Sequence, residues 1–397
     1  MKYILNKEEY GIEYDWKKIR KEYRKLDCPD DVYDPTVAPL ETAKYFMENS
    51  ERNVGKTTNW LLLGMVMHEM YGTIIQYIRQ TENMIVPKQL KNLFDTILTY
   101  DYVSKVTNGR WNSVIYHARR YYYCNVDEES GSIVEKATDH FMFCASIDKA
   151  MDLKSSYNAP YGDLIIWDEC IGKVYYPNEF VSFCDLVKTI IRGRRSPIIV
   201  LLANTINPHS MLYNELEIYD EVQLMHVGEH KLIETSKGTK IYVEWIGVKQ
   251  EKKLKNNIIN QLFFGFKNPL LGSITGDDWA IKPYQHIPEL PQNDEKAYAN
   301  IVSRRLYLYY NNKYVRLDIV NHYELGLCIY AHWATKTYSD SVILTTVDRF
   351  DSRYYYKLGP GDLRKFIERC FSENRIYYAT NDIGSFVDAY MAYIKKL

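Results

Sequence analysis

Ser50-Glu-Arg-Asn-Val-Gly-Lys-Thr57 decides the fold of this chain, together with the apolar Thr58-Asn-Trp-Leu-Leu-Leu63 that follows it. The stretch fits the phosphate-loop template GxxxxGK[ST] at Gly55, Lys56 and Thr57, with a serine in place of the first glycine. A helix that begins just after such a loop directs its unpaired backbone N–H groups at bound phosphates. The stretch therefore predicts a phosphate-binding loop that leads into a helix packed inside an α/β layer.

The loop residues indicate a nucleoside triphosphate site. Lys56 is expected to bridge the β- and γ-phosphate oxygens, and Thr57 is expected to supply a hydroxyl ligand to Mg²⁺. Arg52 either contacts the γ-phosphate of its own subunit or faces solvent. The candidate nucleotide-binding residues are Ser50, Glu51, Arg52, Asn53, Val54, Gly55, Lys56, Thr57, Thr58 and Asn204.

A second motif, Leu164-Ile-Ile-Trp-Asp-Glu169, joins an apolar strand to two adjacent carboxylates. At the carboxyl end of a buried parallel strand, Asp168 would reach the magnesium shell. Glu169 is then the candidate general base that orients and deprotonates the attacking water. The alternative is a strand that ends in a solvated acidic turn, but the two motifs have the order and separation that one domain requires. ATP and Mg²⁺ are therefore the predicted cofactors.

Two further elements fall where an ATPase built from several subunits would use them. The segment Ile190-Ile-Arg-Gly-Arg-Arg195 offers Arg192 to stabilise transition-state charge on a neighbouring subunit's nucleotide, with its other two arginines as competitors. A basic turn that faces solvent or DNA fits the same residues. Asn204 ends the apolar run Ile198–Ala203, where it either senses the γ-phosphate or forms a turn.

The composition limits the class of protein. The 397 residues are enough for two or three domains, and 46% apolar and 25% charged residues are ordinary for a globular protein. The net charge of −1 excludes a global basic field, so any contact with DNA has to be a local patch. Seven scattered cysteines without a CxxC pair argue against a disulfide framework and a zinc site. We see no signal segment or membrane-spanning apolar run, and expect a soluble intracellular protein.

Residues 1–245 alternate apolar strands with helical segments, as a mostly parallel α/β sheet requires. The helical stretch Tyr14–Leu26 fits either a surface helix of this domain or an arm that docks a partner. Phe141–Ala145 and the two segments Trp111–Tyr116 and Tyr121–Cys124 are expected to be antiparallel additions to the sheet. The candidate parallel strands are Thr73–Arg79, Leu164–Trp167 and Ile198–Ala203.

Two regions follow this first domain. Residues 246–300 are charged and then interrupted by prolines, which indicates a linker or a small lid. Residues 301–397 return to strands followed by two helices, and they predict a smaller α/β domain. Its strands are expected to form a meander of consecutive segments, namely Tyr314–Val320, Glu324–Tyr330 and Val342–Val347.

At these motifs the chain resembles the DNA-packaging ATPases of small tailed phages, the phi29-like motors, which are relatives of terminase large subunits. The resemblance implies a P-loop ATPase domain of the additional-strand, catalytic-glutamate type in residues 1–245. The segments that carry it are Arg52–Thr57, Gln76–Arg79, Ile165–Glu169, Tyr176–Glu179, Thr189–Arg194 and Leu202–Pro208.

The resemblance also implies partners. These are a homo-oligomeric ring of five subunits, double-stranded DNA, the portal vertex of an empty procapsid in the host cytoplasm, and in some cases a structured RNA. Under it Glu169 is the catalytic base, Arg192 acts on the neighbouring subunit, and Arg52 is the loop arginine of terminase-like motors. Ser50 departs from the family pattern, which has a glycine there.

For residues 301–397 the resemblance implies an RNase H-like domain that binds nucleic acid or the procapsid and whose nuclease is vestigial. Cutting DNA requires three or four carboxylates around two metal ions. Asp318 and Asp348 are the acidic candidates, without convincing partners. The alternative functions are a terminase large subunit with an active nuclease, a helicase or other translocase, and a scaffold with a decayed nucleotide site.

Overall fold

The structure is a computed structural model that describes residues 13–29, 32–50, 54–150, 163–172, 176, 178–191, 197–204, 208–247, 284–286, 301–322, 326–347 and 351–395. These residues form two α/β units, each built on one sheet, which we call the N-terminal unit and the C-terminal unit. Among the residues described, no helix combines the length and the apolar character needed to cross a membrane.

The strands of the N-terminal unit are β1 (Tyr45–Ser50), β2 (Ile75–Arg79), β3 (Ser113–His117), β4 (Arg120–Val126), β5 (Ile133–Ser146), β6 (Leu164–Asp168), β7 (Ile198–Asn204), β8 (His230–Glu234) and β9 (Lys240–Trp245). Their spatial order is β3-β4-β5-β2-β6-β7-β1-β9-β8. All neighbours from β5 to β9 in this order pair in parallel. The edge pairs are antiparallel. The expected mostly parallel sheet is confirmed.

The expectation that Phe141–Ala145 forms an antiparallel strand is correct on one side only. β5 pairs antiparallel with β4 but parallel with β2, where Met142 lies opposite Ile75. The strand is long enough for both roles, because its buried second half continues the parallel sheet while its exposed first half extends a hairpin beyond it.

β7 lies between β1, which leads into the phosphate loop, and β6, which carries Asp168. This is the additional-strand arrangement that the resemblance implies. Because the three strands are parallel, their carboxyl ends meet at one edge of the sheet, where ligands of open α/β folds bind. The strand order therefore brings the two sequence motifs together.

Two apolar cores cover the faces of this sheet, and alternate residues of the central strands feed each of them. Leu164 and Ile166 face the core that contains α2, whereas Ile165 and Trp167 face the other core. Continuous apolar runs are what strands buried on both faces require. The helices are α1 (Trp16–Arg24), α2 (Lys56–Tyr71), α3 (Pro87–Leu90), α4 (Asp95–Thr99), α5 (Tyr102–Thr107), α6 (Glu179–Ile191), α7 (Met211–Glu215) and α8 (Tyr219–Leu224).

The C-terminal unit contains β10 (Ile301–Ser303), β11 (Leu306–Tyr310), β12 (Lys313–His322), β13 (Gly326–Ala334), β14 (Val342–Thr345), β15 (Tyr354–Tyr356) and β16 (Ile376–Tyr378). Helices α9 (Gly361–Ser372) and α10 (Asn381–Ile394) pack on one face of its sheet. The spatial order is β15-β14-β11-β12-β13-β16, and β10 pairs with β12.

The predicted meander is wrong in its third strand. β12 and β13 pair antiparallel, but β14 pairs in parallel with β11 and not with β13. The prediction missed β11, which is joined to β12 by Asn311 and Asn312. Both asparagines have positive φ, 47° and 58°, as a tight hairpin turn requires. β16 occupies the second edge of β13, so β14 adds to β11 instead.

Candidate functional site

The loop between β1 and α2 depends on a glycine. Gly55 precedes the first turn of α2 with φ of +84°, a left-handed conformation. A Cβ atom there would lie 2.9 Å from Asn59 Nδ2 and 3.3 Å from the Cβ of Val32. Both the backbone conformation and the space therefore favour glycine. Glu51, Arg52 and Asn53 lie outside the described residues.

Lys56 is buried, with 7% of its surface exposed, and lies among oxygen acceptors. Its Nζ donates hydrogen bonds to Ser50 Oγ and, at 3.3 Å, to Asn204 Oδ1. Burial lowers the pKa of Lys56 to about 8, against the opposing pull of Asp168 and Glu48. Ser50, the departure from the template, thus supplies the lysine with a hydroxyl partner that a glycine lacks.

Thr57 and Asp168 place two oxygen ligand groups next to each other at the carboxyl ends of the strands. Thr57 Oγ1 donates a hydrogen bond to Asp168 Oδ1 at 3.1 Å. A hydroxyl and a carboxylate beside a phosphate-binding loop are the oxygen ligands that Mg²⁺ takes in nucleotide sites, so these residues fit that ion. Glu169 follows with a φ of +53° and a side chain that is 43% exposed. Its N–H donates to Asp168 Oδ1 at 3.1 Å.

Two residues that had no predicted role complete this cluster. Arg79 Nη1 lies 2.9 Å from Asp168 Oδ2, and its Nη2 lies 2.6 Å from Glu169 Oε2. Tyr77 OH donates to Asp168 Oδ2 at 2.6 Å. Both belong to β2, which pairs with β6. The sequence offered one signal for this role, because Arg79 is a cation at the carboxyl end of a predicted parallel strand.

The Tyr176-Pro-Asn-Glu179 segment supports the same edge of the sheet. Glu179 is buried at the start of α6, and its Oε2 accepts a hydrogen bond from the backbone N–H of Tyr176 at 2.8 Å. Its Oε1 accepts one from Gln80 Nε2, also at 2.8 Å. Burial raises the pKa of Glu179 to about 7. This carboxyl therefore joins the start of α6 to the residue that follows Arg79.

A cavity of about 630 Å³ opens onto these residues. Besides polar residues, its lining includes Cys28, Pro29, Val32, Tyr100 and Tyr102. This volume is within the range of roughly 300–1,000 Å³ typical of ligand pockets. A cavity of this size, lined by both polar and apolar or aromatic side chains, has the dimensions and chemistry for a nucleotide. Its polar lining residues include Lys56, Thr57, Thr58, Asp168, Glu169 and Asn204.

Two solved structures resemble the chain over nearly its whole length. The DNA-packaging motor of phage Phi-28 matches with a TM-score of 0.50 and 15% identity, covering 92% of this chain and 99% of the other. The chain has the fold of a phage DNA-packaging motor. The genome-packaging motor assembly of phage Phi-29 matches with a TM-score of 0.53 and 14% identity, covering 90% and 97%. No protein-family model and no curated protein sequence matches the chain.

Within this packaging-motor fold, the predicted site residues divide into two groups. Ser50, Gly55 and Lys56 meet the Asp168–Glu169 pair and Asn204 at the carboxyl edge of the sheet. Val54 is buried beside them, and Thr58 lines the cavity. Arg192 directly follows α6 but lies outside the described residues, as does Arg52.

In the C-terminal unit of this fold, Asp318 is engaged by basic side chains. It is buried on β12, where Arg316 Nε lies 2.9 Å from Oδ1 and His332 Nε2 lies 3.0 Å from Oδ2. Asp318 lies on the strand predicted as Tyr314–Val320, which β10 and β11 precede in the chain. Asp348 lies outside the described residues. Over the described ranges, no group of three or more His, Cys, Asp or Glu side chains is placed to hold a metal ion.

Proposed function

We propose that the chain is the ATPase of a phage DNA-packaging motor, which couples ATP hydrolysis to the movement of double-stranded DNA into a procapsid. The observation that carries the proposal is the convergence of Lys56, Asn204, Asp168 and Glu169 on one cavity, in a fold shared with packaging motors. A P-loop lysine, a strand-end aspartate and an adjacent glutamate are the groups that phosphoryl transfer to water requires.

Each residue in the cavity has a proposed role. Lys56 binds the β- and γ-phosphate oxygens, and Thr57 and Asp168 hold Mg²⁺, which neutralises phosphate charge when bound. Asn204, already within 3.3 Å of Lys56 Nζ, contacts the γ-phosphate or the attacking water. Residues 50–58 are proposed to bind the phosphates, with Arg52 adding a positive charge.

Glu169 is the proposed general base, and it contacts Arg79 in the arrangement described here. Their 2.6 Å ion pair occupies Oε2 of the Glu169 carboxylate. During hydrolysis, Glu169 is proposed to rotate away from Arg79 towards the attacking water. Its 43% exposure leaves room for that rotation. Arg192 is proposed to act from the neighbouring subunit.

The proposed assembly is a homo-oligomeric ring of five subunits at the portal vertex of a procapsid in the host cytoplasm, with double-stranded DNA and in some cases a structured RNA as partners. Residues 1–245 are the motor domain, 246–300 a linker or lid, and 301–397 an RNase H-like domain that does not cut DNA. The engagement of Asp318 by Arg316 and His332 supports the last point. Plasmid cleavage with Mn²⁺ that Asp318→Ala abolishes would favour the terminase alternative.

An ATPase assay of the wild type, two site variants and two control variants tests the proposal. Glu169→Gln should lower the rate by about 10²- to 10⁴-fold, the contribution of a general base, while it still binds ATP. Lys56→Ala should lose both hydrolysis and tight ATP binding. The exposed substitutions Glu128→Gln and Lys88→Ala are matched controls and should retain the wild-type rate.

If the wild-type protein does not hydrolyse ATP above the level of Lys56→Ala, the chain is a scaffold with a decayed site and the proposal is wrong. Protection of DNA from nuclease by procapsids, with and without ATP, then separates a packaging motor from a helicase or another translocase.

A further inference from the structure

Helix α1 has two faces of opposite chemistry. Its buried face carries Trp16, Ile19 and Tyr23, which join the core around α2. At 3.6 residues per turn, the exposed basic side chains fall within an arc of about 120° on the opposite face. These exposed side chains are Lys17, Lys18, Lys21, Arg24 and, just after the helix, Lys25.

The charge of this face is largely uncompensated. The nine residues of α1 include five basic and one acidic side chain, in a chain whose net charge is only −1. Arg20 is bound by Glu41, and Lys25 pairs with Glu22 at 2.7 Å. Among the residues that the structure describes, no acidic side chain forms an ion pair with the other four cations of the helix. They are spaced three and four residues apart, so they repel one another.

The opposite face of the same helix is connected to the phosphate loop by hydrogen bonds through Asn59 of α2. Tyr23 OH donates to Asn59 Oδ1 at 2.7 Å, and Asn59 Nδ2 donates to the carbonyl of Gly55 at 2.9 Å. The backbone N–H of Tyr33 donates to the carbonyl of Val54 at 3.0 Å. These hydrogen bonds connect α1 and Tyr33 to the residues immediately before Lys56.

We propose that the exposed face of α1 binds the phosphate backbone of duplex DNA, and that the Tyr23–Asn59–Gly55 hydrogen bonds transmit this contact to the ATP site. The inference rests on the proposed function and identifies which residues contact the DNA. A nine-residue helix is about 13 Å long. Duplex DNA carries one phosphate charge per roughly 1.7 Å of its axis, so a helix of that length can reach several phosphates of the backbone. The four cations that have no ion-pair partner among the described residues supply the positive charge for this contact.

The binding half is tested with a fluorescent DNA duplex of arbitrary sequence, titrated by anisotropy at several salt concentrations. The variant Lys17→Gln/Lys18→Gln/Lys21→Gln removes three cations, and Lys237→Gln/Lys240→Gln/Lys365→Gln removes three exposed lysines elsewhere. The α1 variant should bind at least tenfold more weakly at low salt. Its slope of log affinity against log salt should fall by about 3, close to one for each phosphate contact. The control should retain the wild-type slope.

Equal slopes for the α1 variant and the wild type would overturn the assignment, as would equal losses in the variant and the control. Immobilised poly-glutamate provides the test for an acidic protein partner. If the α1 variant loses binding to poly-glutamate but not to DNA, the face recognises an acidic protein and the DNA assignment is wrong.

The coupling half is tested with Tyr23→Phe, which removes only the hydroxyl that Asn59 accepts. We expect the DNA salt slope of the wild type but a loss of the stimulation of ATP hydrolysis by DNA. Tyr14→Phe is the matched control, because it removes a hydroxyl that binds Thr73 at 2.9 Å, away from the loop. Full stimulation in Tyr23→Phe would show that these bonds transmit nothing. A wild-type protein without ATPase activity would contradict the proposed function, whereas the binding titration still decides the role of α1.

Discussion

The groups around Lys56 determine how readily its positive charge can interact with a ligand. Glu48, two residues before Ser50, is fully buried and lies opposite Glu244 in the register of β1 and β9. Burial raises the pKa of Glu48 to about 8, with Glu244 adding to the effect, so the carboxyl is protonated at neutral pH. Arg79 forms ion pairs with both Asp168 and Glu169 and so compensates one of their two negative charges. Lys56 donates hydrogen bonds to Ser50 and Asn204, and phosphate oxygens can compete for these bonds.

The lowered pKa of Lys56 predicts how ATP affinity depends on pH. Since Lys56 has to be charged to bind phosphate and its pKa is about 8 without ligand, affinity should fall as the pH rises above 8. The fall should reach at most about tenfold per pH unit. Calorimetry in buffers of different ionisation enthalpy should detect an uptake of about one proton above that pH and little near neutrality. Lys56→Arg stays charged throughout, so a pH dependence that persists in this variant would assign the effect to another group.

At the scale of elements, the packing of α2 on the sheet determines where the phosphate loop lies. The middle of the helix is buried, and Gly64 faces the strands beneath it. A Cβ atom at Gly64 would lie 2.6 Å from Ile75 Cδ1 and 2.8 Å from Leu164 Cδ2. A larger residue has to push α2 away from β2 and β6. The same close packing places the first turn of the helix, with Lys56 and Thr57, over the strand ends.

Gly64→Val should therefore lower the free energy of unfolding by about 1–3 kcal/mol, the cost of overpacking a filled core. Chemical denaturation with a two-state fit provides the measurement. Lys365→Val places the same side chain on the exposed face of α9 and should cost no more than about 1 kcal/mol through helix propensity. If Gly64→Val and the wild type unfold at the same denaturant concentration, the close approach does not constrain α2.

At the scale of the whole molecule, a residue shortly after β7 links the two units. His209 is almost completely buried between them. Its Nδ1 lies 2.6 Å from Tyr219 OH, and its Nε2 lies 2.8 Å from Asp382 Oδ1 at the start of α10. Asn311, in the turn between β11 and β12, donates to the carbonyl of His209 at 2.9 Å. Because His209 is only five positions after Asn204, the C-terminal unit is attached close to the nucleotide cavity.

His209→Leu should destabilise the protein by about 1–3 kcal/mol, because Tyr219 and Asp382 each lose a hydrogen-bond partner in the interface. Chemical denaturation measures the loss, and hydrogen exchange should show that α10 becomes less protected. Arg364→Ala, which breaks the exposed ion pair with Glu368 on α9, is a control with an expected cost of about 1 kcal/mol or less. An unchanged stability and unchanged exchange of α10 would mean that His209 does not hold the two units together.

The sequence by itself determined the parts of the site that depend on local pattern. The phosphate loop, the apolar β6 that ends in Asp168, and the run of β7 that ends in Asn204 are all visible as short motifs. Each combines an element type with a terminal position, and hydrophobic periodicity encodes both locally. The mostly parallel sheet follows from the same alternation of strands and helices.

The tertiary structure decided the pairings that join residues distant in the chain. Only the strand order shows that β7 separates β1 from β6, that Arg79 holds Glu169, and that β14 pairs with β11. The hydroxyl of Ser50 becomes the partner of Lys56 only because the end of β1 and the start of α2 lie side by side. Most of these contacts depend on register and on the packing of segments far apart in the chain: Arg79 and Glu169 are 90 positions apart, and β1 pairs with the still more distant β7. A local sequence pattern does not show which distant segments pair. These contacts therefore become visible only in the folded structure.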